Sequence, residues 1–370
     1  MDTRRRNFIR GIGAVSAVGA LAGCQSILDT GSDGGGGGDA DVDPENLPEV
    51  EATYAHLAPP EISNHNHQAA MTLKRYMETQ SDGKFTVNIS PAGELGSSTE
   101  LVEQTSSGSI EMSGGLVEGH LAPFYPDINV YADPYAFPSI EVAQYVMDGS
   151  FGDQLRQAML DELDLRSIGW HDNGGFRNYF TNGARIESLS DFEGLTFRNM
   201  QIEAHQEITR SLGATPEPID WTELYSALDQ GVVDGAEGSI PLFILGKFEE
   251  VQEFMILDGH VWSYVFNFAN NEWFEGLHPA YQEMLLKGGF WGAINAREVN
   301  AVARKRGQQY MNDNGVEIHD PPADLRDEFR EVTQEPVRQV IREQMDNPGL
   351  IDDLSAAIED AKEQLGHDKY

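Results

Sequence analysis

Between residues 50 and 270 the chain switches repeatedly between two hydrophobic periods, and that alternation restricts it to an open α/β architecture. Residues 52–57 read as a strand, while Ala69, Leu73, Tyr76 and Met77 recur at helical spacing. Asp82-Gly83 turns the chain into a second strand over 85–89. Ser97 and Glu100 fit a capping box ahead of Leu101-Val102, so a helix is predicted to start there. Strands over 110–113 and 165–170 follow, with helices over 142–147 and 153–163 between them. A second series has strands over 176–181 and 196–199 and a helix over 203–212 closed by Gly213. Asp220 and Glu223 cap another helix, which carries Trp221, Leu224, Tyr225 and Leu228 and ends at Gly231. Val232-Val233 begins a strand, and 254–257 and 261–269 are two more. Past Glu272 the chain reads as helical, broken at Asp320-Pro321-Pro322, and no internal repeat is present.

The first 24 residues read as an export signal outside the fold. Arg4, Arg5, Arg6 and Arg10 precede an uncharged stretch of small residues, 11–23, that ends at Cys24. That stretch is well short of the roughly 20 residues that span a bilayer. Arg5-Arg6-Asn7-Phe8-Ile9-Arg10 resembles a twin-arginine export signal, and Leu21-Ala22-Gly23-Cys24 resembles a lipobox, whose cysteine becomes lipidated. The expectation is a body held to the outer face of the cell membrane by a lipid anchor at Cys24. No other cysteine exists, which excludes intrachain disulfides and cysteine-based zinc or iron–sulfur sites. Residues 25–49, with glycines at 34–38, form a flexible acidic tether. What remains exceeds what one hydrophobic core usually serves, so two lobes are expected.

The formal net charge is −36. Such acidity suits a disordered chain or a salt-adapted surface, and 40% hydrophobic content with 17 Phe, 12 Tyr and 5 Trp favours a folded body. Self-repulsion destabilises it in dilute buffer, whereas near 1 M salt the Debye length falls to about 3 Å. With no basic stripe in the mature chain, nucleic acid is not an expected partner.

Particular segments carry a resemblance. Pro91-Ala92-Gly93-Glu94-Leu95-Gly96 is similar to a P-A-G-Q-L-G loop, and Gly108-Ser109-Ile110-Glu111-Met112 to a G-x-x-D-M strand. Asn173-Gly174-Gly175-Phe176-Arg177 with Thr181-Asn182 is similar to an N-G-F-R…T-N hairpin, and Asp191-Phe192-Glu193-Gly194-Leu195-Thr196-Phe197-Arg198 to D-L-K-G-L-K-I-R. The longest match runs from Glu223-Leu224-Tyr225 through Gly231-Val232-Val233-Asp234-Gly235, close to E-L-Y-x-A-L-Q-x-G-V-V-D-G. Over about residues 50–310 the chain thereby resembles the substrate-binding subunits of tripartite ATP-independent periplasmic (TRAP) transporters, the DctP family, also called solute-binding protein family 7. The resemblance implies a two-lobed clamp like other periplasmic binding proteins, with a cleft between the lobes and a long helix spanning both. It implies one lobe over 50–171 plus about 260–297, and a second over 172–259 plus about 298–366. It further implies capture of a small organic acid, delivery to an ion-gradient-driven membrane permease, and no cofactor. One departure stands out: the family continues V-D-G-Q-E-N-P, with the Asn facing the ligand, whereas here Ala236-Glu237-Gly238-Ser239 leaves no side chain at that place.

A guanidinium matches the two oxygens of a carboxylate with parallel N–H donors. Arg198 lies at the end of a predicted strand in the run Phe197-Arg198-Asn199-Met200, where it is costly without an anionic partner. That partner is an internal acid on residue context alone, and the ligand's carboxylate once the resemblance is added. Arg177, just after a Gly-Gly pair where the chain crosses between lobes, is a second ligand candidate or a hinge salt bridge. Trp221 and Tyr225 either wall the cleft or join Leu224 and Leu228 in the core. Glu118 either projects into the cleft from the first lobe or is a solvated acid. Glu237 either helps hold a cation beside the carboxylate or is a structural acceptor; no other metal site is expected. His65 and His67, at i and i+2, do not share a helical face, which disfavours a helical metal pair; His171-Asp172 has the same standing.

The main expectation is therefore an extracytoplasmic solute-binding protein without catalysis. The alternatives are a ligand-sensing surface lipoprotein of the same fold and an exported α/β enzyme. No G-x-S-x-G, H-E-x-x-H or P-loop motif supports the enzyme.

Overall fold

The computed structural model describes residues 46–366. The twin-arginine run, the lipobox with Cys24 and the glycine tether lie outside the described residues. The chain folds as β1 (Val50–His56), α1 (His65–Gln80), β2 (Phe85–Ser90), α2 (Ser98–Ser106), β3 (Met112–Val117) and α3 (Glu118–Leu121). After a 3-10 turn at Pro126–Ala132 come α4 (Ile140–Asp148), α5 (Ser150–Leu163) and β4 (Leu165–Thr181). Then follow β5 (Thr196–Asn199), α6 (Glu203–Ser211), β6 (Thr215–Pro218), α7 (Trp221–Asp229), β7 (Gly235–Gly238) and α8 (Ile240–Leu245). The last elements are β8 (Phe254–Ile256), β9 (Val261–Asn270), α9 (Asn271–Gly276), α10 (Pro279–Asp313), β10 (Glu317–His319), α11 (Ala323–Gln344) and α12 (Leu350–Leu365).

Strand order is β2-β1-β3-β9-β4-β7-β5-β6, with β8 pairing both β4 and β10. The α/β expectation holds: β1, β2 and β3 are mutually parallel, as are β5, β6 and β7, and two long antiparallel strands, β4 and β9, join the groups. Helices cover the faces, and three apolar clusters sit beneath them. The capping box forms as expected: the Ser97 main-chain N–H donates to Glu100 Oε2 at 2.7 Å, and the Glu100 N–H to Ser97 Oγ at 3.4 Å.

Several expectations are corrected. The strands expected over 165–170 and 176–181 are one strand, β4, and no hairpin forms at the glycine pair. The ladder to β9 shifts register between Asp172 and Phe176, where Gly174 and Gly175 take φ of 86° and 98°. That backbone is open to glycine and strained for other residues, so the pair kinks the strand without ending it. β3 starts at Met112, two residues later than expected, and β7 starts at Gly235, beyond the exposed Val232.

A long helix across both lobes is expected, and the longest helix among the described residues is α10, of 35 residues. At 1.5 Å per residue it is roughly 50 Å long. Its early glycines admit α1 and β4: a Cβ on Gly289 would lie 1.8 Å from the Ile168 carbonyl oxygen, and one on Gly292 would lie 2.7 Å from that of Ala69. Further along, Gly307 lets Ile240 of α8 approach.

Candidate ligand-binding site

In open α/β sheets the crevice outside the carboxyl ends of the parallel strands is where ligands bind. Here one set of ends is His56 of β1 and Val117 of β3, and the other is Asn199, Pro218 and Gly238 of β5, β6 and β7. The sets approach one another: a Cβ on Gly119 of α3 would meet Ile202, just beyond β5.

Arg198 pairs with Glu217 on β6 and Ala236 on β7. Its neighbour Phe197 enters the core beside Tyr179 and Phe192. Strand alternation therefore sends Arg198 to the opposite face. There Nε donates to the Ile219 carbonyl at 2.8 Å. The residue is only 5% exposed, yet no carboxylate lies within ion-pairing distance of it among the described residues. Burial lowers its pKa to about 10, with Glu237 opposing at longer range, Arg177 reinforcing and Asp220 opposing. It stays charged at neutral pH, a buried cation lacking a close counter-ion.

Arg177 is placed differently. Tyr179 pairs directly with Glu237, so Arg177, two residues back on β4, reaches Glu237 diagonally. The two form a buried ion pair, and Arg177 also donates to the Glu237 main-chain carbonyl at 3.1 Å. Glu237 additionally lies 3.5 Å from His260 Nε2 and 3.8 Å from His205 Nδ1. Burial would raise its pKa, but Arg177 and the imidazoles hold it well below the usual carboxylate range. The geometry gives Glu237 the structural-acceptor role. His260 Nδ1 meets Asp258 Oδ2 at 2.8 Å, and Asp258 also accepts from the Tyr179 N–H at 3.0 Å and Tyr135 Oη at 3.1 Å. Burial lowers the His260 pKa, and the flanking carboxylates outweigh it, giving about 9.

Glu118 is neither solvated nor free. Buried at the start of α3, it accepts from Ser263 Oγ at 2.9 Å and the Tyr264 N–H at 3.4 Å. Trp221 and Tyr225 do not enter the core, being 41% and 36% exposed; Leu224 and Leu228 do. Trp221 packs edge-on against Phe248 at 5.6 Å, and Tyr225 donates to Glu250 at 2.7 Å. The structure thus pairs Arg177 with Glu237, sets Arg198 on the opposite face of the neighbouring strand, and leaves Tyr225 turned toward Glu250.

His205, His260 and Asp258 had not been singled out. The visible signal was Leu257-Asp258-Gly259-His260-Val261, two ionisable residues within an apolar run. His65 opens α1 and diverges from His67: His67 Nδ1 lies 3.1 Å from His56 Nε2, while the His65 ring lies 5.4 Å from that of His171. No cluster of three or more His, Cys, Asp or Glu suited to a metal occurs among the described residues. A cavity of about 870 Å³ lined by Tyr135, Phe176, Asp258, Arg326, Arg330 and Arg338 does not include Arg198. Its arginines are tied to acids, Arg326 to Asp320, Arg330 to Asp327 and Arg338 to Asp133, so the unpaired Arg198 marks the better anion site.

Comparison with known proteins identifies the family. The model of the family described as bacterial extracellular solute-binding protein, family 7 (DctP), matches residues 54–344. A solute-binding protein of Roseobacter denitrificans is 27% identical over 266 residues, 72% of this chain and 74% of its own. The 2,3-diketo-L-gulonate-binding periplasmic protein YiaO of Escherichia coli K12 is 26% identical over 254 residues, 68% of this chain and 76% of its own. Among solved structures, an open, ligand-free TRAP periplasmic solute-binding protein of Rhodobacter sphaeroides superposes with a TM-score of 0.75 at 26% identity, covering 85% of this chain and all of that one. The sugar acid-binding protein DctPAm of Advenella mimigardefordensis, in complex with galactonate, has a TM-score of 0.77 at 23% identity, with the same coverage.

Proposed function

Because the chain belongs to family 7 of the bacterial extracellular solute-binding proteins, we propose that it captures a small organic carboxylate through Arg198 and hands it to an ion-gradient-driven TRAP permease. It is a binding protein and not an enzyme. The observation that carries the ligand class is the Arg198 guanidinium, buried at the carboxyl end of β5 with no acid of its own. Leaving it so is costly unless an anion arrives, and a carboxylate supplies two oxygens in the matching plane. The ligands named for the relatives, 2,3-diketo-L-gulonate and galactonate, support the same class.

In this reading the two strand groups are the two lobes of the clamp, and the kink at Gly174 and Gly175 is where β4 passes between them. Closure on the ligand makes the form that the permease recognises. The twin-arginine run and the lipobox support export and anchoring at Cys24, and the charge of −36 supports a salt-adapted surface. A thermal-shift screen of the body in multimolar KCl tests the class, because a ligand that binds only the folded state raises apparent stability. Stabilisation by micromolar carboxylates is expected. Stabilisation by neutral sugars alone, with none by any acid, rules the reading out. Loss of membrane retention in Cys24→Ser, with export intact, tests the anchor.

A further inference from the structure

The cavity of about 870 Å³ that Arg198 does not line has an apolar wall made by Tyr135, Phe137, Phe176, Ile240, Leu257 and Ile358. Phe176 and Asn178 of β4 both line it, so it opens on the face of that strand opposite the one where Arg177 meets Glu237. Its volume lies within the roughly 300–1,000 Å³ of small-molecule pockets. The wall is preformed. Phe176 is braced edge-on against Trp262, with ring centroids 4.8 Å apart. Tyr135 takes φ of 54°, a left-handed backbone that is costly for a bulky residue. Its N–H donates to the His260 carbonyl at 2.7 Å and its Oη to Asp258 at 3.1 Å, which hold the ring there. Backbone strain of this kind gathers at ligand clamps, and here it sets an aromatic ring into a cavity wall.

The charged residues of the same cavity fall into two layers. Arg304 and Arg338 pair with the buried acids Asp172 and Asp133 and hold the frame. Arg326, Arg330 and Lys362 pair instead with Asp320, Asp327 and Glu359. In each of these three pairs the cation is the deeper partner: the acid side chains are 60–77% exposed and the cations 28–48%. The cations therefore form the inner layer and the acids the outer one. Exposed ion pairs of this kind contribute little, so an acid arriving inside the cavity can take the place of theirs. The remaining acid of the wall, Asp258, is already occupied by Tyr135, Tyr179 and His260.

We propose that this cavity is a second ligand site, separate from Arg198, for a small amphipathic anion. Its acidic head lies against Arg330 and Lys362, and its apolar body lies against the wall of Tyr135, Phe137 and Phe176. Arg326, which also donates to the Leu257 carbonyl at 2.9 Å, ties the head-group side of the cavity to its floor. A neutral apolar molecule would leave the inner cations unused, and a short acid would leave the apolar wall wet. The proposal does not depend on what Arg198 binds.

The test is calorimetric titration in multimolar KCl with hexanoate, octanoate, decanoate and octanol. It is run on wild type and on Arg198→Ala, each with and without Arg330→Gln or Lys362→Gln. In Arg198→Ala the affinity should climb roughly tenfold for every two methylenes added to the acid. Octanol should bind at least about tenfold more weakly than octanoate, and either Gln substitution should weaken octanoate by at least about fivefold. Octanoate that fails to bind Arg198→Ala overturns this second site, as does octanoate binding that neither Gln substitution weakens. Octanol binding as tightly as octanoate overturns it too. A hydroxy acid that binds wild type and not Arg198→Ala keeps the carboxylate site at Arg198 standing whichever way octanoate behaves. Where Arg198→Ala fails to fold, the chain-length series on wild type and on Arg330→Gln decides.

Discussion

Arg177 and Glu237 neutralise one another inside the fold, as diagonal neighbours on β4 and β7, while Arg198 on the adjacent strand is left without a close counter-ion. The first and second arginine candidates of the sequence therefore differ in kind. Removing one partner of a buried ion pair strands the other and typically costs 3–5 kcal/mol, whereas replacing both with apolar residues is often neutral. Arg177→Met should accordingly lower the urea-unfolding free energy by roughly 3–5 kcal/mol, and Arg177→Met with Glu237→Met should restore much of it. A single mutant that keeps full stability and loses only ligand affinity would show that Arg177 serves the ligand.

The complementary expectation concerns Arg198. Truncating one side of a buried charge pair in a complex costs about 2–5 kcal/mol of binding, at least roughly 30-fold in affinity. Arg198→Ala should show that loss in titration against any acid that stabilises the wild type. Its unfolding free energy without ligand should hold or rise, because a desolvated cation is removed. An affinity loss under threefold with the fold intact takes Arg198 out of the site.

The two arginines also show how far the sequence could be read. Both were nominated from their residue contexts, yet the choice between ligand and internal partner turned on strand register. Tyr179 pairing with Glu237, and Arg198 with Ala236, decide which face each guanidinium occupies. Register depends on long-range pairing, which local periodicity does not encode. The capping box at Ser97 and the helix opening at Trp221 were legible because both are local devices. β4 reads as two strands in the sequence because Gly174-Gly175 carries the same signal whether a chain turns or kinks. His205 meets Glu237 only in three dimensions, which local periodicity does not show, whereas His260 has Asp258 two residues before it in the sequence.

The histidines give the stability a pH signature with two opposed limbs. His260, raised to about 9 in the fold, favours the folded state fully below its unfolded value near 6.5, and that contribution is lost as pH rises toward 9. His56 and His65, depressed to about 4, act in the other sense: folding excludes their protons, so stability falls as pH drops from about 6.5 toward 4. His171, also depressed, adds to the acid limb. His260, His56 and His65 are each worth up to roughly 3 kcal/mol across their windows. Urea unfolding in constant high salt should therefore show a maximum near pH 6.5. His260→Gln should flatten the alkaline limb and leave the acid limb in place. A profile level from pH 6.5 to 9 in the wild type would contradict a protonated His260 between Glu237 and Asp258.

Two glycines should respond in opposite ways to the same added methyl. At Gly289 a Cβ would lie 1.8 Å from the Ile168 carbonyl oxygen, and backbone cannot rotate away as a side-chain tip can. α10 would have to lift from β4, opening the packing around Ile168 and Leu285. Overpacking of this kind typically costs 1–3 kcal/mol, so Gly289→Ala should destabilise by about that much. At Gly238 the Cβ would meet only the Phe180 ring at 3.8 Å, an ordinary contact. Replacing glycine by alanine at a compatible position reduces the entropy of the unfolded chain, worth about 0.4–1 kcal/mol. Gly238→Ala should therefore be neutral or slightly stabilising in urea unfolding. If Gly238→Ala instead destabilised as much as Gly289→Ala, the space beside β7 would be filled by the protein itself.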